Sequence, residues 1–192
     1  MPKPIKNLKE SIHKNIDVLT KTFDEQHLET LEKIISIVTE AIRNKKKILL
    51  CGNGGSAADS QHVAAEFIGR FKKERKSYPA IALTTDTSIL TAVGNDYSFE
   101  EIFSRQVEGL GEAGDVLIGI STSGNSPNVL KAVQVAEKRG MKTIGFTGTG
   151  GGTLGTIADV CFAVESDDTP YIQAGHLIAL HTMCETVENI LL

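Results

Sequence analysis

The chain's 192 residues are 41% hydrophobic and 23% charged, the balance of one globular domain with its own core, which excludes a disordered chain. A net charge of −4 supplies no general field for nucleic acid or an anionic lipid surface. The opening segment MPKPIKNLKESIHKN lacks an apolar signal core and no later run is long enough to span a bilayer, so a cytoplasmic protein without membrane or nucleic-acid partners is expected.

From about Ile5 to Lys47 the spacing predicts helix, with Leu28, Leu31, Ile34, Ile35 and Val38 as an apolar stripe on a charged segment. His13 and His27 within it are read as solvated. The pattern then changes to short apolar runs alternating with helices. Candidate strands are Lys47–Cys51, Ala80–Thr84, Val116–Ile120, Lys142–Phe146 and Val160–Val164, with helices near Ala57–Arg70, Phe99–Gly109 and Pro127–Arg139. Ser126 and Pro127 read as N-cap and first helical residue, and Gly140 as the glycine that ends that helix. A last helix runs from about Ile172 to Leu191. This predicts an α/β fold: a doubly wound, five-stranded parallel sheet flanked by helices, in one domain with helices over residues 1–46 and the α/β core over 47–192. Lys45–Lys47 and the KKERK run at 72–76 read as solvated faces. Cys51, Cys161 and Cys184 are odd in number and form no C-x-x-C pair, so they read as small buried thiols.

In such sheets ligands gather beyond the C-terminal strand ends. The first strand delivers Gly52-Asn53-Gly54-Gly55-Ser56, where absent side chains let backbone N–H groups approach a ligand and a helix start favours an anion. Alone, Gly52-x-Gly54-x-x-Ala57 also fits a relaxed dinucleotide fingerprint, with Asp86 as a candidate ribose partner. The third strand delivers Ser121-Thr122-Ser123-Gly124-Asn125-Ser126 straight into a helix. Four hydroxyls beside free backbone donors form a cradle for a phosphate dianion, which suits a phosphosugar better than a dinucleotide. The loop Thr147–Gly152 after the fourth strand is read as flexible, with no assigned chemistry.

STSGNS after a strand is similar to the sugar isomerase (SIS) domains, which bind phosphosugars and have a flavodoxin-like fold. Together, CGNGGSAADSQHVAAEFIGRF, VGNDYSFEEIFSRQVE and GDVLIGISTSGNSPNV resemble the phosphoheptose isomerases over nearly the whole chain. The resemblance implies conversion of D-sedoheptulose 7-phosphate to D-glycero-D-manno-heptose 7-phosphate, the first step of heptose synthesis for lipopolysaccharide or other surface glycans. It also implies a homotetramer with sites at subunit contacts. Two family departures are Tyr171, where many members carry arginine, and Ala174, where many carry glutamate; they bear on the substrate or the interface. A non-catalytic SIS regulator associating with the replication initiator DnaA is the rival. It lacks the acid and imidazole that stand here at Glu66 and His181.

His62 and Glu66, at i and i+4, share one helix face, while Gln173, His176 and His181 share half of the last helix. Two imidazoles, a carboxylate and an amide oxygen suit a borderline divalent ion, though the spacing alone leaves a metal open. The resemblance implies zinc on His62, Glu66, Gln173 and His181. It further implies Glu66 as base and His181 as acid/base partner in an enediol proton transfer. Around the substrate it places Asn53, Gly54, Gly55, Ser56, Glu66, Asn95, Asp96, Ser121, Thr122, Ser123, Ser126 and Gln173. Asp96, after Gly94-Asn95, is expected on a turn.

Overall fold

The computed structural model describes residues 4–192. Two helices, α1 (Pro4–Thr22) and α2 (Glu25–Arg43), precede the first strand. The helical segment expected from about Ile5 to Lys47 divides at Phe23-Asp24. Asp24 adopts an extended backbone there, and its carboxylate accepts the N–H of His27 as the N-cap of α2. On α2, Leu31, Ile34, Ile35 and Val38 are buried as expected, but Leu28 faces solvent.

The sheet is wholly parallel, in the order β2-β1-β3-β4-β5, with β1 Ile48–Gly52, β2 Ala80–Ala82, β3 Val116–Ile120, β4 Lys142–Thr147 and β5 Val160–Ala163. All five expected strands form, each within two residues of its expected ends. α3 (Gly55–Ile68) follows β1, and α6 (Pro127–Lys138) follows β3 with Ser126 at the N-cap position and Pro127 first in the helix. The C-cap is Arg139, and Gly140, at φ 71°, is the left-handed residue after it. The helix expected over 99–109 is a short 3₁₀ turn (Phe99–Glu101) followed by α5 (Ser104–Leu110).

Two helices were not foreseen: α4 (Thr87–Asp96), and α7 (Gly152–Ile157), which begins at the last residue of the supposed flexible loop. α4 is capped by Asp86, whose carboxylate accepts the Ile89 N–H. That role removes Asp86 as a ribose partner. The last helix, α8, spans Thr169–Leu191.

Both faces of the sheet are covered, which is why the strands read as unbroken apolar runs. Ile48, Leu50, Val116, Ile118 and Ile120 point into a core shared with α2, α3 and α8. Leu49, Cys51 and Leu117 point the other way, into a core shared with α5, α6 and α7. Cys51 and Cys184 are buried, and burial raises each thiol to about 12, so both stay protonated. No helix among the described residues is long and apolar enough to cross a membrane.

Within KKERK, Arg75 is not solvated. Its side chain is 2% exposed and its Nε lies 3.0 Å from the buried carboxylate of Glu188 on α8. Glu188 also accepts the backbone N–H groups of Phe71, Lys72 and Lys73. Burial alone would raise this acid; the three amides and the guanidinium outweigh it and hold it below the usual carboxylate range.

Candidate active site

β1 and β3 are sheet neighbours, and the chain leaves them toward helices on opposite faces. Their C-terminal ends therefore form the crevice of the doubly wound sheet. Across it, Asn53 and Asn128 exchange two amide hydrogen bonds of 2.9 and 2.8 Å, locking the β1 loop to the start of α6. Asn128 is buried and was not singled out in the sequence; its signal, an asparagine in the first turn after a Ser-Pro cap, is weak.

The glycines after β1 have distinct causes. Gly54 adopts φ 55° at the N-cap position of α3, a conformation that side chains disfavour. At Gly55 the side chain of Gln173, from α8, occupies the space that a Cβ would need. The close approach made there is thus with a residue of the site itself. Ser56, in the first turn of α3, is buried.

In the hydroxyl-rich loop after β3, Ser121 Oγ lies 2.9 Å from Ser126 Oγ and 3.4 Å from Ser123 Oγ. Ser121 is buried, Thr122 and Ser126 are half-buried, and Ser123 is open. Ser126 occupies the N-cap position of α6 without capping it through its side chain. Its hydroxyl is turned to Ser121, and the side chain of Asn128 meets the Val129 N–H at this helix start instead. A cavity of about 180 Å³ lies alongside, walled by Thr122, Ser123, Thr149, Ser166, Thr169 and Asp167. Thr149 and Ser166 come from the β4–α7 and β5–α8 connections and Thr169 from the start of α8, which sequence spacing could not bring together.

The supposed flexible loop is stitched to this cradle. Gly148 N–H donates to Thr122 O, Leu154 N–H to Gly124 O, and Asn125 Oδ1 accepts both the N–H and the hydroxyl of Thr153. Asn125 thus caps α7 from a neighbouring loop, and three consecutive positive-φ glycines, Gly150–Gly152, let the chain turn into it.

On the helix flanks, α3 and α8 bring His62, Glu66 and His181 together, with ligand-capable atoms all within 4.8 Å of one another. His62 Nε2 is 2.8 Å from His181 Nε2 and 3.5 Å from Glu66 Oε1. Two imidazole nitrogens at that separation share one proton or yield to a cation. The side chain of His62 is 46% exposed and that of Glu66 21%. Two imidazoles and a carboxylate fit a borderline divalent ion; Gln173, two helical turns before His181, packs against the Gly55 turn. Asp59, one turn before His62, is half-buried; burial raises its carboxyl while the two imidazoles oppose the rise.

The structure corrects three expectations around the site. His176 does not share the His181 cluster; it is buried in the core against Thr147. His27 is not solvated: it is half-buried, 2.7 Å from Asp24 and edge-on to the Phe162 ring. Asn95 and Asp96 are not on a turn but in the last turn of α4, exposed, with Asn95 Nδ2 donating to Asp96 Oδ1 at 2.8 Å. Among the described residues no hydrogen bond or ion pair joins those two side chains to the other candidates. Tyr171 lines a cavity of about 550 Å³ with Lys14, Lys21 and Glu165, and Ser166 and Asp167 belong both to its wall and to that of the cavity beside the hydroxyl cradle.

The SIS domain family matches residues 12–148. The chain is 50% identical to the phosphoheptose isomerase of Geotalea daltonii over 185 residues, covering 96% of each protein. To that of Aliarcobacter butzleri it is 56% identical over 161 residues, covering 84% of this chain and 85% of the relative. The fold superposes on the structure of phosphoheptose isomerase GmhA from Neisseria gonorrhoeae with a TM-score of 0.92 at 41% identity, over 97% of this chain and all of that one. A phosphoheptose isomerase from Francisella tularensis gives 0.93 at 34% identity, over 97% and 99%.

Proposed function

The chain belongs to the SIS-domain phosphoheptose isomerases, aldose–ketose isomerases acting on sedoheptulose 7-phosphate for heptose synthesis, and we propose that the β1–β3 crevice and the α3–α8 cluster are the two halves of its active site. The observation that carries this reading is the convergence of His62, Glu66 and His181 from two helices, beside Gln173, which packs on the Gly55 turn.

In this reading the phosphate lies against the hydroxyls of Thr122 and Ser123, with Ser121 and Ser126 fixing the loop and the positive end of the α6 dipole meeting its charge. Asn53, Gly54, Gly55 and Ser56 bound the sugar from the β1 side, and Asn95 and Asp96 reach its hydroxyls from α4. Glu66 takes the proton from the carbon beside the ketone and returns it to the former carbonyl carbon. His181 gives a proton to the carbonyl oxygen as the enediol forms and takes one from the neighbouring hydroxyl as the aldehyde forms. His62, Glu66, Gln173 and His181 would hold a divalent ion, zinc in this reading, which when bound supplies Lewis-acid polarisation of a sugar oxygen.

We read the protein as one SIS domain over residues 1–192 and as a cytoplasmic homotetramer whose product feeds surface heptose such as that of lipopolysaccharide. The exposed apolar residues of α1 and the open face of the cluster support assembly. An NMR time course in heavy water tests the chemistry. The parent should produce heptose 7-phosphate carrying deuterium at C2. Glu66→Gln should lose about two to four orders of magnitude in rate, the usual worth of a positioned base. A Glu66→Gln protein that isomerises at the parent rate would remove Glu66 from its role.

A further inference from the structure

α8 carries Gln173 and His181 to the site, and between them stands His176, wholly buried and untouched by the proton transfer. Its Nε2 lies 2.9 Å from the carbonyl oxygen of Thr147, the last residue of β4. A carbonyl can only accept, so Nε2 carries the hydrogen and Nδ1 is the bare nitrogen. Nδ1 is buried and has no partner. Leaving a ring nitrogen unsatisfied in a core is unfavourable, and an aliphatic side chain would avoid it. The histidine therefore holds its place through the one bond it makes.

That bond falls at a junction. Thr147 O also accepts the N–H of Val164, the last sheet-type bond before β4 leaves its neighbour. The next residue, Gly148, donates its N–H to Thr122 O in the hydroxyl-rich loop at 3.0 Å. The ring of Phe146 stands edge-on to the imidazole at 5.8 Å and fixes its tilt. A continuous path thus runs from α8 through His176, Thr147 and Gly148 to Thr122.

We propose that His176 is a positioning residue that sets the hydroxyl cradle at its working distance from the α8 side chains of the proton-transfer cluster. This rests on the reading of the Ser121–Ser126 loop as the phosphate cradle. Without the Nε2–H donor, the β4–α7 connection loses its tie to α8 and Thr122 moves relative to His181, and displacements of about 1 Å in such supports cost about 10²-fold in rate.

The test compares the parent with His176→Leu and His176→Asn, neither of which presents a donor at the Nε2 position, and with His176→Gln, whose amide nitrogen reaches it. Inorganic phosphate is the probe, as a competitor of isomerisation, and zinc binding to the metal-stripped protein is measured separately. Leu and Asn should each raise KM and the phosphate inhibition constant about 10-fold or more and lower kcat, with zinc affinity unchanged within about 2-fold. Gln should restore phosphate inhibition to within about 3-fold of the parent. If Leu fails to fold, Asn and Gln carry the comparison. Variants that melt earlier but keep the parent's phosphate inhibition would reduce His176 to a packing residue and overturn the proposal. So would a loss confined to zinc affinity. A parent that phosphate does not inhibit would instead overturn the cradle reading, and this proposal with it.

Discussion

His176 also couples folding to pH. Burial drives its pKa down from 6.5 to about 4, against the pull of the Thr147 carbonyl, so the native ring refuses a proton that the unfolded chain accepts. A depressed folded value means that this group's contribution is complete above about pH 6.5 and is lost as pH falls through the window to about 4, at up to about 1.4 kcal/mol per pH unit. Between about pH 7 and pH 5 the parent should lose roughly 2 kcal/mol more unfolding free energy than His176→Gln, in which carboxylate titration is the same and cancels. Equal losses in the two proteins would show that the ring already takes its proton in the native state. A second residue-scale expectation concerns Asn128. Asn128→Leu strands both polar ends of Asn53 at the crevice and should destabilise by about 1–3 kcal/mol and raise KM. A KM unchanged from the parent would separate that amide pair from the substrate.

Among the elements, the segment after α3 shows how a charged run can be structural. Arg75 Nη1 and Nη2 donate to the carbonyls of Phe67 and Glu66, its guanidinium stacks over Tyr78, and its Nε meets Glu188. The end of α3 that bears Glu66 is thereby clamped to α8. Removing one partner of a buried pair leaves the other uncompensated, so Glu188→Ala should cost about 3–5 kcal/mol in a urea titration and, in the reading of the cluster as a zinc site, weaken zinc binding. Stability within about 1 kcal/mol of the parent would mean that water reaches the guanidinium. Nothing in KKERK distinguishes Arg75 from its neighbours, because the acid that buries it lies 113 residues on. The same limit explains the missed helices. α7 is six residues rich in glycine, and its cap is Asn125 of another loop; α4 has no buried residue to leave an apolar stripe. By contrast, the inner strands β1, β3 and β4 are buried on both faces, which writes their apolar runs into the sequence directly. His62 and Glu66 are adjacent on one turn of helix and could be paired from spacing. Their meeting with His181 depends on how α3 and α8 cross the sheet, which spacing does not encode. Two polar pairs on helices flanking one sheet edge suggest a shared site, and the family resemblance implies the ligand set.

At the scale of the whole molecule, the unresolved demand is the apolar surface of α1. Leu8, Ile12 and Ile16 stand at intervals of four, on one face of the helix, and are 63%, 59% and 52% exposed. The charged residues of α1 cannot shield a stripe of that kind, and a lone chain would leave it in water. Burying three such side chains is worth about 1.5–3 kcal/mol each, enough to drive association when two copies present the same stripe. The reading as a homotetramer makes this measurable. The parent should sediment at about four times the chain mass of 20.6 kDa, and Ile12→Glu with Ile16→Glu should yield a smaller species with unchanged helix content. In that reading a neighbouring subunit shelters the cluster, whose His62 is 46% exposed in one chain, so the smaller species should also turn over more slowly. A double variant that keeps the parent's mass would place the contact elsewhere, with Ile178 on α8 the next exposed apolar residue to change. A variant that dissociates and yet retains full kcat would show instead that one chain holds every group the isomerisation needs.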